Sequence, residues 1–221
     1  MRTEFRDRYE AGEVLAEQLS GYVDQPDLIV LALPRGGVPV AAQVARRLNA
    51  PLDVFTVRKL GLPGHPELAM GAIASGGVRV FNGDVMNSLR IPDEVVEDVT
   101  RSEFAELQRR EHVYRDDLPP PVVEGKTVIV VDDGVATGST MMAAISALRQ
   151  LGARRIVVAT PVIARSTQHE LSRFADEIVA LLAPSEFYGV GQWYSDFSQT
   201  SDDEVRGLLA QARHRITPAV V

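Results

Sequence analysis

Apolar and polar positions along this chain follow two rhythms. Short, nearly continuous apolar runs occupy residues 28–33, 52–57, 127–131, 155–159 and 177–182, each bounded by Gly, Pro or charged clusters. A strand with one wet face would alternate, so such runs read as strands buried on both faces. Between them, apolar residues recur at helical spacing over 5–22, 40–48, 92–115, 141–151 and 166–174. Ser201-Asp202-Asp203-Glu204 has the spacing of a capping box and starts a last helix that runs toward Arg213. Pro92 suits the start of the long charged helix. Strands alternating with helices predict an α/β fold: a mostly parallel central sheet with helices on both faces.

Two stretches break the rhythm. Residues 57–73 are punctuated by Gly61, Pro63, Gly64 and Pro66, a composition expected to interrupt regular structure. Short strands are expected at 72–74 and 79–81 around Ser75-Gly76-Gly77. Residues 118–125, with Pro119, Pro120 and Pro121 in succession, read as a rigid surface connector rather than a boundary, so residues 1–221 are expected to form a single domain.

Composition narrows the partners. A net charge of −7 argues against a general binder of nucleic acid or of an anionic membrane surface. There is no cysteine, hence no disulfide framework, and four scattered histidines do not have zinc-ligand spacing. A charged opening and the lack of a run long enough to span a bilayer predict a cytoplasmic protein.

The strongest chemical signal is Val128-Ile129-Val130-Val131-Asp132-Asp133-Gly134-Val135-Ala136-Thr137-Gly138-Ser139-Thr140. An apolar strand ends in two carboxylates, then in small and hydroxylated residues that enter a helix. A helix N-terminus carries unpaired N–H groups and partial positive charge, so it receives a phosphate. Gly134 and Gly138 permit close backbone approach, and Thr137, Ser139 and Thr140 add hydroxyl donors. Carboxylates would repel that phosphate. Asp132 and Asp133 therefore suit sugar hydroxyls a few ångströms away. A bare acidic pair after an apolar strand is commonly just a helix cap, but here the whole tail is present. A nucleoside-triphosphatase would add an upstream G-x-x-x-x-G-K-[ST] loop, which the sequence lacks.

This stretch resembles the 5-phosphoribosyl-1-pyrophosphate (PRPP) loop of type I phosphoribosyltransferases, with Gly134 standing where an aliphatic residue is usual. The resemblance implies that Asp132 and Asp133 hold the ribose 2′- and 3′-hydroxyls. It also implies that Ala136, Thr137, Gly138, Ser139 and Thr140 cradle the 5′-phosphate, and that Gly134 and Val135 belong to the same PRPP-binding loop. Arg35, Gly36 and Gly37, at the end of the first core run, resemble the family's pyrophosphate loop. Residues 57–73 resemble its flexible lid, in which Arg58 and Lys59 would meet the pyrophosphate. Lys59 stands out because all but two of the 23 basic residues are arginines. His65 and Glu67 are candidates for general acid–base work in that lid.

Aromatics concentrate near the C-terminus, in Phe187, Tyr188, Trp193, Tyr194 and Phe197. In the family this region, here about 183–200 together with the N-terminal helix, forms a hood over the acceptor. Phe187, Tyr188, Trp193 and Tyr194 are the expected acceptor pocket, and a satellite core is the plainer alternative. The run F-Y-x-V-G-x-W-Y-x-D-F, with R-K-L-G-x-P-G-H-P-E upstream, resembles a bacterial group of phosphoribosyltransferases of undefined acceptor.

The implied chemistry is transfer of the phosphoribosyl group from PRPP to a small nitrogenous acceptor, such as a nucleobase, with release of pyrophosphate. Arg35, Lys59 and Asp133 would be the catalytic residues. Mg2+ would ride on substrate oxygens, with Asp132 and Asp133 nearby and no direct protein ligand. Ala136 stands where 6-oxopurine enzymes of the family carry an aspartate, which disfavours hypoxanthine and guanine. A PRPP-binding regulatory module and a PRPP hydrolase remain the alternatives. On the long helix, Arg101, Glu103, Glu106, Arg109, Arg110 and Glu111 would suit a homodimer contact or, more simply, a solvated face.

Overall fold

In a computed structural model, residues 4–116 and 118–216 are described, without the side chains of Pro66, Glu67 and Ile216. The chain runs α1 (Arg8–Gln18), β1 (Leu28–Ala32), α2 (Gly37–Leu48), β2 (Leu52–Val54), β3 (Val57–Leu62), β4 (His65–Ala74), β5 (Val78–Phe81), α3 (Gly83–Leu89) and α4 (Asp93–Arg115). It continues through β6 (Thr127–Val131), α5 (Ser139–Gln150), β7 (Arg155–Val162), α6 (Arg165–Leu171), β8 (Glu177–Leu182) and α7 (Asp202–Ile216). Five strands form a parallel sheet in the order β2-β1-β6-β7-β8.

The two faces of this sheet explain the continuous apolar runs. Leu28, Val30, Ala32, Ile129 and Val131 point to one side, where α1, α2 and α7 cover them through Leu15, Val40, Val44 and Leu209. Their neighbours Ile29, Leu31, Val128 and Val130 point to the other, against Met141, Ala144, Ile145 and Leu148 of α5. Each fully buried aliphatic side chain is worth about 1.5–3 kcal/mol, so a polar residue on either face would be costly. The expectation of a mostly parallel sheet with helices on both faces is met.

The segment expected to be irregular is not. Residues 57–74 form an antiparallel hairpin, β3 against β4, and β5 adds a third strand. Gly64, in the left-handed region at φ 81°, makes its turn, and register shifts beside Gly61 absorb the glycine. The Gly and Pro residues therefore mark a turn and a bulge within a sheet. Leu60, Met70 and Ile73 of this sheet pack on Ile91, Val96 and Leu107, which brings α4 across it.

At its C-terminus α4 is tied to β2 by a buried ion pair. Arg115 donates from Nε to Asp53 Oδ1 (2.8 Å) and from Nη2 to Asp53 Oδ2 (2.9 Å) and to the Pro119 carbonyl. The proline-rich connector is thereby fastened to the sheet edge. Helix α1 is shorter than expected, because Asp7 caps it by accepting the Glu10 N–H (2.8 Å) and frees Phe5 for another use. Among the described residues no helix is long and apolar enough to cross a membrane.

Candidate functional site

From β1 the chain turns through α2 to β2 on one side, and from β6 through α5 to β7 on the other. The connections diverge between the carboxyl ends of two neighbouring strands. In open α/β sheets this reversal leaves a crevice that binds ligands. Both loops singled out by sequence border it.

The first loop needs its glycines for room. Gly36 has an ordinary φ of −59°, yet a Cβ there would lie 2.0 Å from Asp133 Oδ2. A Cβ on Gly37 would lie 2.7 Å from the Val131 carbonyl and 3.0 Å from Asp132 Cα. The Arg35-Gly36-Gly37 loop, whose Pro34–Arg35 peptide is cis, thus lies directly on the acidic pair.

The two carboxylates have different surroundings. Asp133 is buried, and Oδ2 accepts a hydrogen bond from Arg8 Nε at 2.7 Å. Its backbone carbonyl accepts the Tyr194 hydroxyl at 2.6 Å. Asp132 is half-buried, and its Oδ1 accepts the Asp133 N–H at 2.9 Å. Burial, and then the neighbouring Asp133 charge, push the Asp132 carboxyl well above its usual range.

Beyond the pair, the loop is held from behind. Val135 N–H reaches the Val162 carbonyl (2.9 Å), and Thr167 Oγ1 donates to the Ala136 carbonyl (2.5 Å). Gly138, at φ 76°, is the N-cap of α5 and gives the helix no side-chain cap. The first N–H groups of α5 are therefore available to an anion. Thr137, Ser139 and Thr140 are exposed there, with Thr137 Oγ1 and Ser139 Oγ 3.3 Å apart. The glycine at 134 has a local cause. A Cβ would meet Val190 Cγ1 at 2.3 Å, so a valine from the C-terminal segment fills the space that an aliphatic residue at 134 would take.

The basic residues divide. Arg35 turns toward Asp202 (3.7 Å) and a cavity of about 180 Å³ that it lines with Arg109, Arg110, Val113, Tyr114 and Asp202. Arg58 is committed to Glu103 of α4 at 2.7 Å, so it is not a free lid cation. Lys59 is exposed on β3 opposite Ala72, in a strand rather than a loop. His65 is exposed at the start of β4, and the Glu67 side chain lies outside the described residues. On α4, Arg101 pairs with Asp98 and Glu106 with both Arg109 and Arg110, the pattern of a solvated face. Those two guanidiniums hold the Glu106 carboxyl down to about 2.

The aromatic cluster divides between packing and exposure. Tyr194, expected to face an acceptor, is only 5% exposed and packs on Phe5 with ring centroids 5.7 Å apart. Burial first, then the Asp133 charge, raise its hydroxyl well above the usual range. Phe197 is instead partly exposed and Tyr188 largely so, while Phe187 leans on the half-buried Trp193 at 6.3 Å. Backbone bonds from Phe5 N–H to the Trp193 carbonyl (2.9 Å) and from Ser195 N–H to the Phe5 carbonyl (2.8 Å) sew the N-terminus to this segment.

Arg8 is the residue that sequence reasoning missed. No local pattern marks it, since Asp133 is 125 positions away. Its Nη1 also donates to the Ser198 carbonyl (2.7 Å), and its guanidinium carbon lies 4.0 Å from the centroid of the Phe197 ring.

No three His, Asp or Glu side chains among the described residues group as a metal site. Two adjacent carboxylates, one of them already bonded to an arginine, are hard oxygen donors of the kind that Mg2+ accepts.

A family model described as "Phosphoribosyl transferase domain" matches residues 3–191. A Mycobacterium tuberculosis H37Rv protein named "Putative phosphoribosyl transferase Rv0571c" is 45% identical over 211 residues, covering 96% of this chain and 47% of that protein. The chain therefore spans about half the length of the curated relatives it matches. A "Ribose-phosphate pyrophosphokinase" of Pyrococcus furiosus is 43% identical over 58 residues, 25% of this chain and 21% of its own length. Among solved structures, TT1426 from Thermus thermophilus is 42% identical with a TM-score of 0.84, covering 94% of this chain and 98% of that one.

Proposed function

The chain belongs to the phosphoribosyl transferase domain family, and from that premise we propose that the crevice between β1 and β6 binds PRPP and transfers its phosphoribosyl group to a small nitrogenous acceptor. One observation carries this reading. At the point where the sheet reverses direction, the glycine loop after β1 and the acidic loop after β6 touch so closely that neither Gly36 nor Gly37 has room for a Cβ. A ligand that is a phosphate at one end, a polyol in the middle and a pyrophosphate at the other suits three adjoining surfaces. The uncapped start of α5 takes the 5′-phosphate. Asp132 and Asp133 face the ribose, and the Arg35-Gly36-Gly37 loop takes the leaving pyrophosphate. The partial likeness to a ribose-phosphate pyrophosphokinase adds a relative whose name joins ribose phosphate to pyrophosphate.

In this mechanism the protein binds and orients more than it reacts. Loss of pyrophosphate leaves positive charge at the sugar C1, and Arg35, on swinging away from Asp202, offsets the negative charge that grows on the leaving group. Asp132 and Asp133 would lie beside any Mg2+ carried in on PRPP, which would add charge neutralisation at the leaving group. Asp132 and Asp133 hold the ribose so that its C1 faces the acceptor side, and Lys59 would approach only if the β3–β4 hairpin moves as a unit. Exposed Tyr188, together with the neighbouring pair Phe187 and Trp193, is the aromatic surface left for an acceptor ring.

The test is a PRPP-dependent pyrophosphate-release screen over nucleobases and small nitrogen heterocycles bearing amine or carboxylate groups, with Asp132→Asn as the control. The expected result is release that depends on one acceptor class and falls at least about 100-fold in the control, as for loss of a positioned charged group. Release without any acceptor would make the protein a hydrolase. Tight PRPP binding with no release under any condition would make it a regulatory module.

A further inference from the structure

We propose that Arg8 is the positioning residue of the ribose site, fixing Asp133 and locking the C-terminal aromatic segment to it. The proposal rests on the PRPP reading above and extends it to an element outside the β1–β6 crevice. Arg8 is the first residue of α1, and its side chain is only 11% exposed. A guanidinium held out of water needs partners for its N–H groups. Its Nε takes Asp133 Oδ2 at 2.7 Å, and its Nη1 takes the Ser198 carbonyl at 2.7 Å. One planar group therefore spans from the acidic loop to the segment that follows the aromatic cluster.

Three neighbours fix the orientation of that plane. Phe197 stacks against it at 4.0 Å, within the range where cation–π attraction acts. Tyr194 stands at 6.0 Å and donates its hydroxyl to the Asp133 carbonyl. A Cβ on Gly36 would come within 3.2 Å of Arg8 Nε, so the pyrophosphate loop closes the remaining side. Asp133 Oδ2 is consequently pinned between Arg8 and Gly36. The carboxylate has one orientation when substrate arrives, and holding a group in its productive geometry lowers the cost of binding. Arg8 acts through Asp133 rather than on the reacting atoms. It also makes an assembled aromatic segment a condition of a correctly placed acid pair.

The test compares wild type, Arg8→Gln, Arg8→Lys, Asp133→Asn and the Arg8→Gln/Asp133→Asn double variant by calorimetric titration with PRPP in magnesium buffer, alongside thermal melts. Arg8→Gln should weaken PRPP at least about tenfold, the loss expected when one partner of a buried charge pair is removed. Arg8→Lys should recover part of it, because it keeps the charge but loses the second bond. The double variant should bind no more weakly than the weaker single variant, since both break one interaction. In turnover, KM for PRPP should rise more than kcat falls. Wild-type affinity in Arg8→Gln, or losses that simply multiply in the double variant, would overturn the proposal. Should Arg8→Gln fail to fold, Phe197→Leu removes the stack on Arg8 together with the Tyr194 ring contact at 5.2 Å and should still weaken PRPP, and unchanged affinity there would overturn it. Amide hydrogen exchange on the ligand-free proteins separates the two claims. If wild type does not bind PRPP but Arg8→Gln speeds exchange at 132–138 and 194–198, the PRPP reading fails while the clamp stands. Unchanged exchange ends the clamp.

Discussion

Replacing Gly36 by alanine is the smallest change that reaches the site. The new methyl has nowhere to go, because Asp133 Oδ2 and Asp133 Cγ would lie 2.0 and 2.6 Å from it. Overpacking of this kind costs about 1–3 kcal/mol, and here the strain falls on the acid pair. Gly36→Ala should lower the urea midpoint and abolish measurable PRPP binding, and a variant that keeps wild-type affinity would show the contact to be slack. The residue types of both loops were legible in the sequence. The reason for them was not, because a glycine chosen for close approach looks the same as one chosen for a turn. Arg8 was invisible for a related reason: its role exists only once α1, β6 and the C-terminal segment have met.

Asp132 gives a pH signature at the same scale. Its carboxyl is raised in the folded protein, by burial first and the Asp133 charge second, so folding favours the protonated form. Below the ordinary carboxylate value of about 3.9 both states are protonated and the residue costs nothing. As pH rises past that value the unfolded chain ionises first, and wild type loses stability until Asp132 also ionises in the fold. Asp132→Asn keeps an oxygen for the Asp133 N–H and removes the cost. Thermal melts should therefore show the asparagine variant gaining over wild type as pH goes from about 4 toward neutrality. A difference that is constant with pH, or reversed, would contradict this.

Among elements, the core strands and long helices were readable because burial on two faces writes itself as unbroken apolar runs. The 57–74 hairpin was not, since its glycines and prolines mimic a loop while serving a turn and a bulge. Pairing with a neighbour strand is a tertiary fact. The same holds for Gly134, whose missing side chain is supplied by Val190 from the turn after β8. Gly134→Ala should destabilise by about 1–3 kcal/mol through the clash at 2.3 Å. Adding Val190→Ala should recover much of that loss in a denaturant titration. A double variant no better than the single one would locate the strain elsewhere, for instance on Val162.

Helix α4 offers an independent check on how the elements are joined. Arg115 is 2% exposed and forms the bidentate pair with Asp53 that fastens α4 to β2. Arg115→Met leaves a partly buried carboxylate without its partner, a loss of about 3–5 kcal/mol. Urea denaturation should show that loss, and pairing it with Asp53→Asn should return a substantial part. Equal stability of Arg115→Met and wild type would mean that the bond is replaced by solvent.

At the scale of the whole molecule, function follows from topology. A sheet that winds both ways from β1 and β6 opens a crevice, and the two loops proposed to take phosphate and polyol are loops that border it. Alternation of strands and helices announced such a sheet. Strand order had to come from the structure, since β6 reaches β1 across more than ninety intervening residues. The acceptor side is less determined by the fold, because the aromatic segment spends Tyr194 on its own packing.

The most direct measurement of the central claim is equilibrium titration of the protein with PRPP in magnesium buffer, wild type beside Gly37→Ala and a Ser139→Ala/Thr140→Ala pair. One site is predicted for wild type. Gly37→Ala, whose methyl would press on the Val131 carbonyl at 2.7 Å, should abolish binding. Loss of two hydroxyls at the start of α5 should weaken it about fivefold or more, at roughly 0.5–1.5 kcal/mol for each hydrogen bond. Wild type that fails to bind PRPP, or folded variants that bind it as tightly as wild type, would contradict the assignment of this crevice to PRPP.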